Sequence, residues 1–175
     1  MVRMTWPAPV MGAPEESTVV AAMHLLGNGP TSRLMRRLRE ADGLCYSTWA
    51  YPDMSPDYGM VMIGFETESR QGRKAVAAVL EEVMRLASDV TEVELTRAKR
   101  AIEMSLLKIV DRPLSMAALI AGKARAQDDK PSDMIERINA ITLDDVRTYL
   151  HTMTPERCAA VSLGGGPTVL SDLPV

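Results

Sequence analysis

Aromatic residues are scarce in this chain: one Phe, two Trp and four Tyr stand among 175 residues, against thirteen Met. A core so poor in flat rings must be filled by aliphatic and thioether side chains, and methionine adapts to irregular gaps. The two cysteines, Cys45 and Cys158, are too few for a disulfide scaffold or a cysteine-rich zinc module; each sits in an apolar run that reads as strand, where a thiol behaves as a small hydrophobe. The only two histidines, His24 and His151, are far apart in sequence, so the paired imidazoles of a hydrolytic zinc site are missing. His24 follows Met23 on an amphipathic stretch and reads as a half-buried or surface imidazole, while His151 near a helix C-terminus suits the dipole there. Lys plus Arg number 20 and Asp plus Glu 23, a net charge of −3, which leaves no basic excess for a phosphate backbone or an acidic membrane. Nucleic acid and membrane are therefore not expected partners. No segment reaches about 18 uninterrupted apolar residues, and the N-terminus lacks a signal-type apolar core, so the sequence as it stands reads as soluble. No Gly-x-Ser-x-Gly elbow occurs, and Gly27-Asn28-Gly29 joins two helical stretches without a Lys-Ser/Thr sequel, fitting neither a dinucleotide fingerprint nor a phosphate loop.

What is present is ordinary globular material, 46% hydrophobic and 25% charged. A chain of this size buries roughly 70% of its unfolded surface and needs no metal or disulfide to fold. Without repeats or charged linkers the sequence reads as one domain over residues 1–163, followed by a Gly-rich exit and tail, 164–175. Alternation over Val2–Trp6 predicts a strand. Helical spacing over Glu15–Leu26 places Val19, Val20, Met23 and Leu26 on one side, and a second helix over Thr31–Ala41 turns Leu34, Met35 and Leu38 inward and its arginines elsewhere. Period two over Leu44–Tyr51 and Gly59–Thr67 predicts a hairpin whose second strand is apolar on both faces, so both faces of that sheet are expected to be covered, one by helices and the other by a partner. Helices follow over Arg70–Ala87, from a Thr91–Glu94 capping box to Asp111, over Leu114–Ala126 beyond Arg112-Pro113, over Ser132–Ile138, and over Leu143–Thr152 capped by Thr142. Cys158–Leu163 reads as the last strand, and the whole is α+β.

From Gly27 to Ser47 the chain carries a Gly-rich turn, then Ser32-Arg33-Leu34, Arg39-Glu40 and Gly43-Leu44-Cys45-Tyr46-Ser47. This run resembles the best-recognised segment of the pitrilysin/insulinase family of zinc peptidases. Flanking features agree: Trp6-Pro7-Ala8-Pro9 after the first strand, Asp57-Tyr58-Gly59 at a strand entry, and Glu94-Leu95 with Ala98-Lys99 at a helix start, so that the likeness extends from about residue 3 to 163. Members of that family are built of two homologous α+β halves closing around a peptide, and only the N-terminal half of an active member carries His-x-x-Glu-His. The resemblance therefore implies a C-terminal, non-metal-binding half: an antiparallel or mixed sheet covered on one face by several helices, no cofactor in this chain, and zinc in a homologous partner half, fused or separate. A peptide is the implied substrate, and a homo-oligomer stays open. The resemblance also implies a role for Arg39 and Tyr46, an Arg–Tyr pair seven residues apart that in active relatives reaches toward bound substrate. The side-chain chemistry suits it, since a guanidinium forks onto carbonyls or a carboxylate and a phenol donates to an oxygen gaining charge. An arginine in a last helical turn also favours the dipole, and a strand tyrosine also packs, so the pair's role rests on the resemblance. The rival is a structural subunit of the same fold without proteolysis; an unrelated α+β ligand-binding domain would make the Ser32–Ser47 likeness coincidence.

The histidine arithmetic yields an expected outcome: purified after dialysis, the isolated chain contains well under one zinc per molecule by elemental analysis and cleaves no peptide alone. One tightly held zinc per chain would contradict this.

Overall fold

Alternation shapes the first strand of the computed structural model: in β1 (Val2–Pro7) Val2, Met4 and Trp6 are buried while Arg3 and Pro7 face out. The structure describes residues 1–29, 31–123, 131–164 and 170. β1 pairs antiparallel with β3 (Gly59–Glu66) on one side and β4 (Ala159–Ser162) on the other, and β2 (Ser47–Met54) completes an antiparallel sheet of order β2-β3-β1-β4. In register, Ala50, Ile63, Met4 and Ala160 line up across the helix-covered face, and Trp49, Gly64, Arg3 and Val161 across the opposite one. The chain thus has the expected α+β architecture, with helices on one face.

Helix α1 (Glu16–Gly27) lies against β2 and is packed by α3 (Glu92–Val110) and α6 (Leu143–His151). Its burial therefore extends beyond the single stripe that the spacing predicted: Ala21, Ala22 and Leu25 are buried alongside Val19, Met23 and Leu26. Helix α2 (Gly72–Asp89), whose spacing sets Val76, Val79, Leu80, Val83 and Leu86 on one stripe, buries all of these but Leu80, which is half-buried, and packs on α6. The Thr91–Glu94 capping box forms as read at α3, and Thr142 caps α6 as expected, its box completed by Asp145. α3 ends before Arg112-Pro113, and α4 (Pro113–Lys123) starts on the proline, where a missing N–H costs nothing. Residues 124–126 of the expected helix and residues 165–169 and 171–175 of the expected tail lie outside the described residues; α5 spans Pro131–Ala140.

Three expectations change. β2 begins at Ser47 rather than Leu44 because the Leu44 and Cys45 amides donate to Leu38 O, and it runs on through Pro52, which an edge strand tolerates. Cys45 is accordingly buried in the turn before β2, and Cys158 lies just ahead of β4, half-buried, so neither is a strand residue. Met35 is only half-buried. The second sheet face, where a partner was expected, carries no helix among the described residues, and on it Trp49 lies against Gly64, stacks on Tyr51 at 4.8 Å, and takes the Arg3 guanidinium at 5.8 Å.

α1 approaches β2 so closely that a Cβ on Gly27 would overlap the Ala50 backbone nitrogen and sit 2.6 Å from its Cβ. Gly27→Ala is therefore expected to destabilise by about 1–3 kcal/mol or more, as forced overpacking does. Urea unfolding should show a lower midpoint at unchanged slope; wild-type stability would refute the close approach.

Candidate functional site

The segment that carries the family-like motif is fixed from below by one arginine. Leu34 and Leu38, one helical turn apart, are fully buried. Arg33 turns inward beside them: its Nε donates to Glu94 at 2.6 Å and its Nη2 to the other Glu94 oxygen at 2.9 Å, Nη2 also meets Asp89 at 3.0 Å, and Nη1 meets Glu82 at 3.4 Å. The expectation that this arginine points away from the core is thus corrected, because three carboxylates wait for it at the α2–α3 corner. The available signal was Glu82, an acid set between Val79, Val83 and Leu86 on the buried stripe of α2. Burial pushes the Glu94 carboxyl up, but its hydrogen bonds from Arg33 and Thr91 and the Arg33 charge prevail and hold it at about 2. Glu82 goes the other way: burial lifts its pKa despite the opposing pull of Arg33 and Arg85. Hydrogen bonding to Glu94 raises that of Arg33, against burial, so the guanidinium stays charged.

From this anchor the helix continues as a π-helix over Met35–Ala41, a form sequence spacing does not reveal. Asp42 N donates to Arg37 O at 3.0 Å, and Leu38 O accepts from both Leu44 at 2.7 Å and Cys45 at 3.2 Å, while Gly43 turns the chain at φ 59°. Tyr46 follows, its amide donating to Glu66 O at 3.2 Å. The result brings Arg39 and Tyr46 together: the guanidinium carbon lies 5.4 Å from the phenol ring centroid. Tyr46 is 78% exposed, and among the described residues neither side chain makes a hydrogen bond or ion pair. Beside them opens a cleft of about 430 Å³ lined by Leu44, Cys45, Tyr46, Glu66, Thr67 and Gln71. Burial pushes the Cys45 thiol up in pKa, opposed by the Arg39 charge, so it is no ready nucleophile. What the corner offers is a set of unengaged donors, suited to holding acceptors.

The histidines lie elsewhere. His24, on α1, lines a separate cleft of about 480 Å³ between α1 and α3 with Asn28, Arg97, Ser105 and Lys108, and burial lowers its pKa. His151 is exposed at the end of α6. Among the described residues no three or more His, Cys, Asp or Glu side chains gather as ligands of a metal would, so this donor set does not fit a hydrolytic zinc.

Comparison with known proteins adds to this geometry. The sequence model described as "Peptidase M16 inactive domain" matches residues 1–102. The uncharacterized zinc protease YmxG of Bacillus subtilis (strain 168) is 27% identical over 135 residues, which cover 73% of this chain and 32% of YmxG. The chain spans about a third of the length of the curated relatives it matches. Among solved structures, an inactive peptidase domain from Bordetella parapertussis superposes with a TM-score of 0.81 at 18% identity, covering 91% of this chain and 89% of that one. A chain of Complex III2 from Candida albicans superposes at 0.80 with 17% identity, covering 99% of this chain and 44% of that one. Likeness at these identities concerns the fold.

The Arg33 cluster makes a pH-dependent prediction. The folded pKa of Glu94 is depressed, so its contribution is complete above the unfolded value of 4.5 and is lost as pH falls toward about 2. The raised pKa of Glu82 acts in the opposite sense at higher pH and fades once both states are protonated. Arg33→Met, which takes the bidentate partner from Glu94 and leaves Glu82 and Asp89 to Arg85, should cost about 1–3 kcal/mol at pH 7. Glu94→Gln should flatten the loss of stability between pH 4.5 and 2 in urea titrations; an unchanged acid limb in that variant would contradict the assignment.

Proposed function

The chain belongs to the peptidase M16 inactive-domain family, the non-metal-binding half of pitrilysin/insulinase-type zinc peptidases, and from that premise we propose that it clamps peptide substrate for a zinc-bearing partner half. The observation that carries this reading is the Arg39–Tyr46 pair, held together at an open corner with its donors unengaged. Zinc in the partner half would supply the Lewis acid and the activated water; among this chain's described residues no three candidate ligands gather. Arg39 would bind peptide carbonyls or a carboxylate through its planar fork of donors. The Tyr46 hydroxyl would donate to a peptide oxygen as that oxygen gains charge, without first giving up a partner of its own. β2 is an edge strand whose first residue follows Tyr46, so an extended peptide adding to that edge of the described sheet would pass the phenol.

A second reading has one observation in its favour. The fold is as close to a chain of Complex III2 as to an inactive peptidase domain, with TM-scores of 0.80 and 0.81. A structural subunit would use the same scaffold with the corner idle.

The two readings separate by mutation. With the zinc-bearing half supplied, Tyr46→Phe should lower kcat for peptide hydrolysis by about 10²-fold, the scale of losing one oxyanion donor, and Arg39→Ala should raise KM as well. Both exposed substitutions should leave unfolding within about 0.5 kcal/mol of wild type. Wild-type turnover in both variants would favour the structural subunit.

A further inference from the structure

The cleft between α1 and α3, separate from the Arg39–Tyr46 corner, has a volume of about 480 Å³, the size of a small-molecule site. Its α3 wall is one face of that helix, running from Arg97 over Ala98 and Ala101 to Lys108. The two cations stand about three turns apart, roughly 16 Å along the axis, and the short side chains between them leave the gap open. Buried Leu25 adds to this apolar middle from α1. The lining is thus cationic at both ends and apolar between. Among the described residues neither Arg97 nor Lys108 makes a hydrogen bond or ion pair, whereas Arg33, Arg37, Arg85 and Arg147 each meet a carboxylate. Glu94 is the one carboxylate among the lining residues, and its charge is already met by the Arg33 fork.

The Arg97 end holds further donors. The family-like segment is helical over residues 33–41, so Thr31 and Ser32 stand at the positive end of its dipole. Ser32 precedes Arg33, whose fork holds Glu94 one turn ahead of Ala98, and this sets it at that end of the cleft. It is 4% exposed, and its hydroxyl makes no hydrogen bond. A buried hydroxyl without a partner is costly, and an acceptor entering here is the partner it lacks. His24 lines the α1 side as a neutral imidazole, since burial lowers its pKa, and brings no negative charge.

We propose that this cleft binds a small aliphatic molecule carrying an oxyanion at each end, a carboxylate or a phosphate, one end on Arg97 and Ser32 and the other on Lys108. A ligand with a single anionic group would leave one cation idle, and a neutral one would leave both.

The site stands independently of the clamp, so the chain alone serves for the test. Its only histidines are His24, in the cleft, and His151, exposed at the end of α6, so their ring proton resonances give a probe and an internal control. Suberate, hexanediol bisphosphate and octanoate, which has the suberate chain with one carboxylate, are titrated at neutral pH and constant ionic strength. The expected result is a saturable shift of His24 with His151 unmoved, at least about tenfold tighter for a dianion than for octanoate, the tighter dianion naming the head group. Arg97→Gln and Lys108→Gln, both at exposed positions, should each weaken that binding by about tenfold, and Lys74→Gln on α2 should not. If octanoate binds as tightly as the dianions, the cleft takes hydrocarbon alone. If neither dianion moves His24, or both histidines shift together, there is no site. If Lys74→Gln weakens binding as much as Lys108→Gln, only overall charge matters. Any of these results overturns the proposal.

Discussion

A single guanidinium organises the end of this molecule that carries the family-like segment. Arg33 is nearly buried and meets carboxylates from α2 and from the first turn of α3. Ion pairs taken out of water return little net stability, because desolvation offsets most of the attraction. Their geometric demand is severe, however, since a planar fork satisfied on two edges tolerates little displacement, and lysine could not replace it. Glu94 intensifies the constraint by serving at once as Arg33's bidentate partner and as the reciprocal member of the α3 capping box. The start of the family-like segment and the start of α3 are thereby fixed to each other through one carboxylate.

The corner downstream inherits that precision. Leu34 and Leu38 fix the inner side of the segment, Arg33 fixes its origin, and the π-helical stretch then leaves the Leu38 carbonyl to receive two amides from the turn into β2. Those bonds delay the strand until Ser47 and leave Tyr46 at its threshold, exposed, beside Arg39. The pair is thus positioned by backbone bonds and buried leucines, with none of its own polar groups spent on being held. Side chains placed by other residues while keeping their donors open are what a binding corner needs, because their binding capacity is not offset by broken internal bonds.

The regular elements were legible because their signals are local: alternation in β1 and β3, the apolar stripe of α2, the Thr91–Glu94 capping box and the Thr142 cap each depend on residues within a few positions. What escaped depends on distant partners. The inward turn of Arg33 required knowing that Glu82, Asp89 and Glu94 converge from residues 49 to 61 positions away. The late start of β2 required knowing where the Leu38 carbonyl faces, and the broad burial of α1 required knowing that α3 and α6 pack over it. Arg39 and Tyr46 came from resemblance, since seven-residue spacing across a helix end fixes no distance until the π-helical stretch and the Gly43 turn are known.

Two uncovered surfaces among the described residues are unlike. On the sheet, Trp49 stacks on Tyr51 and is capped by Arg3, so part of that face covers itself, while Val161 on the same face stays 61% exposed. The exposed flank of α4 has no such self-cover, and each separation from a neighbour would return Leu114 and Ile120 to solvent at roughly 1.5–3 kcal/mol per fully exposed side chain. A surface with that cost is suited to a contact that stays closed, and one without it to a contact that opens at each turnover.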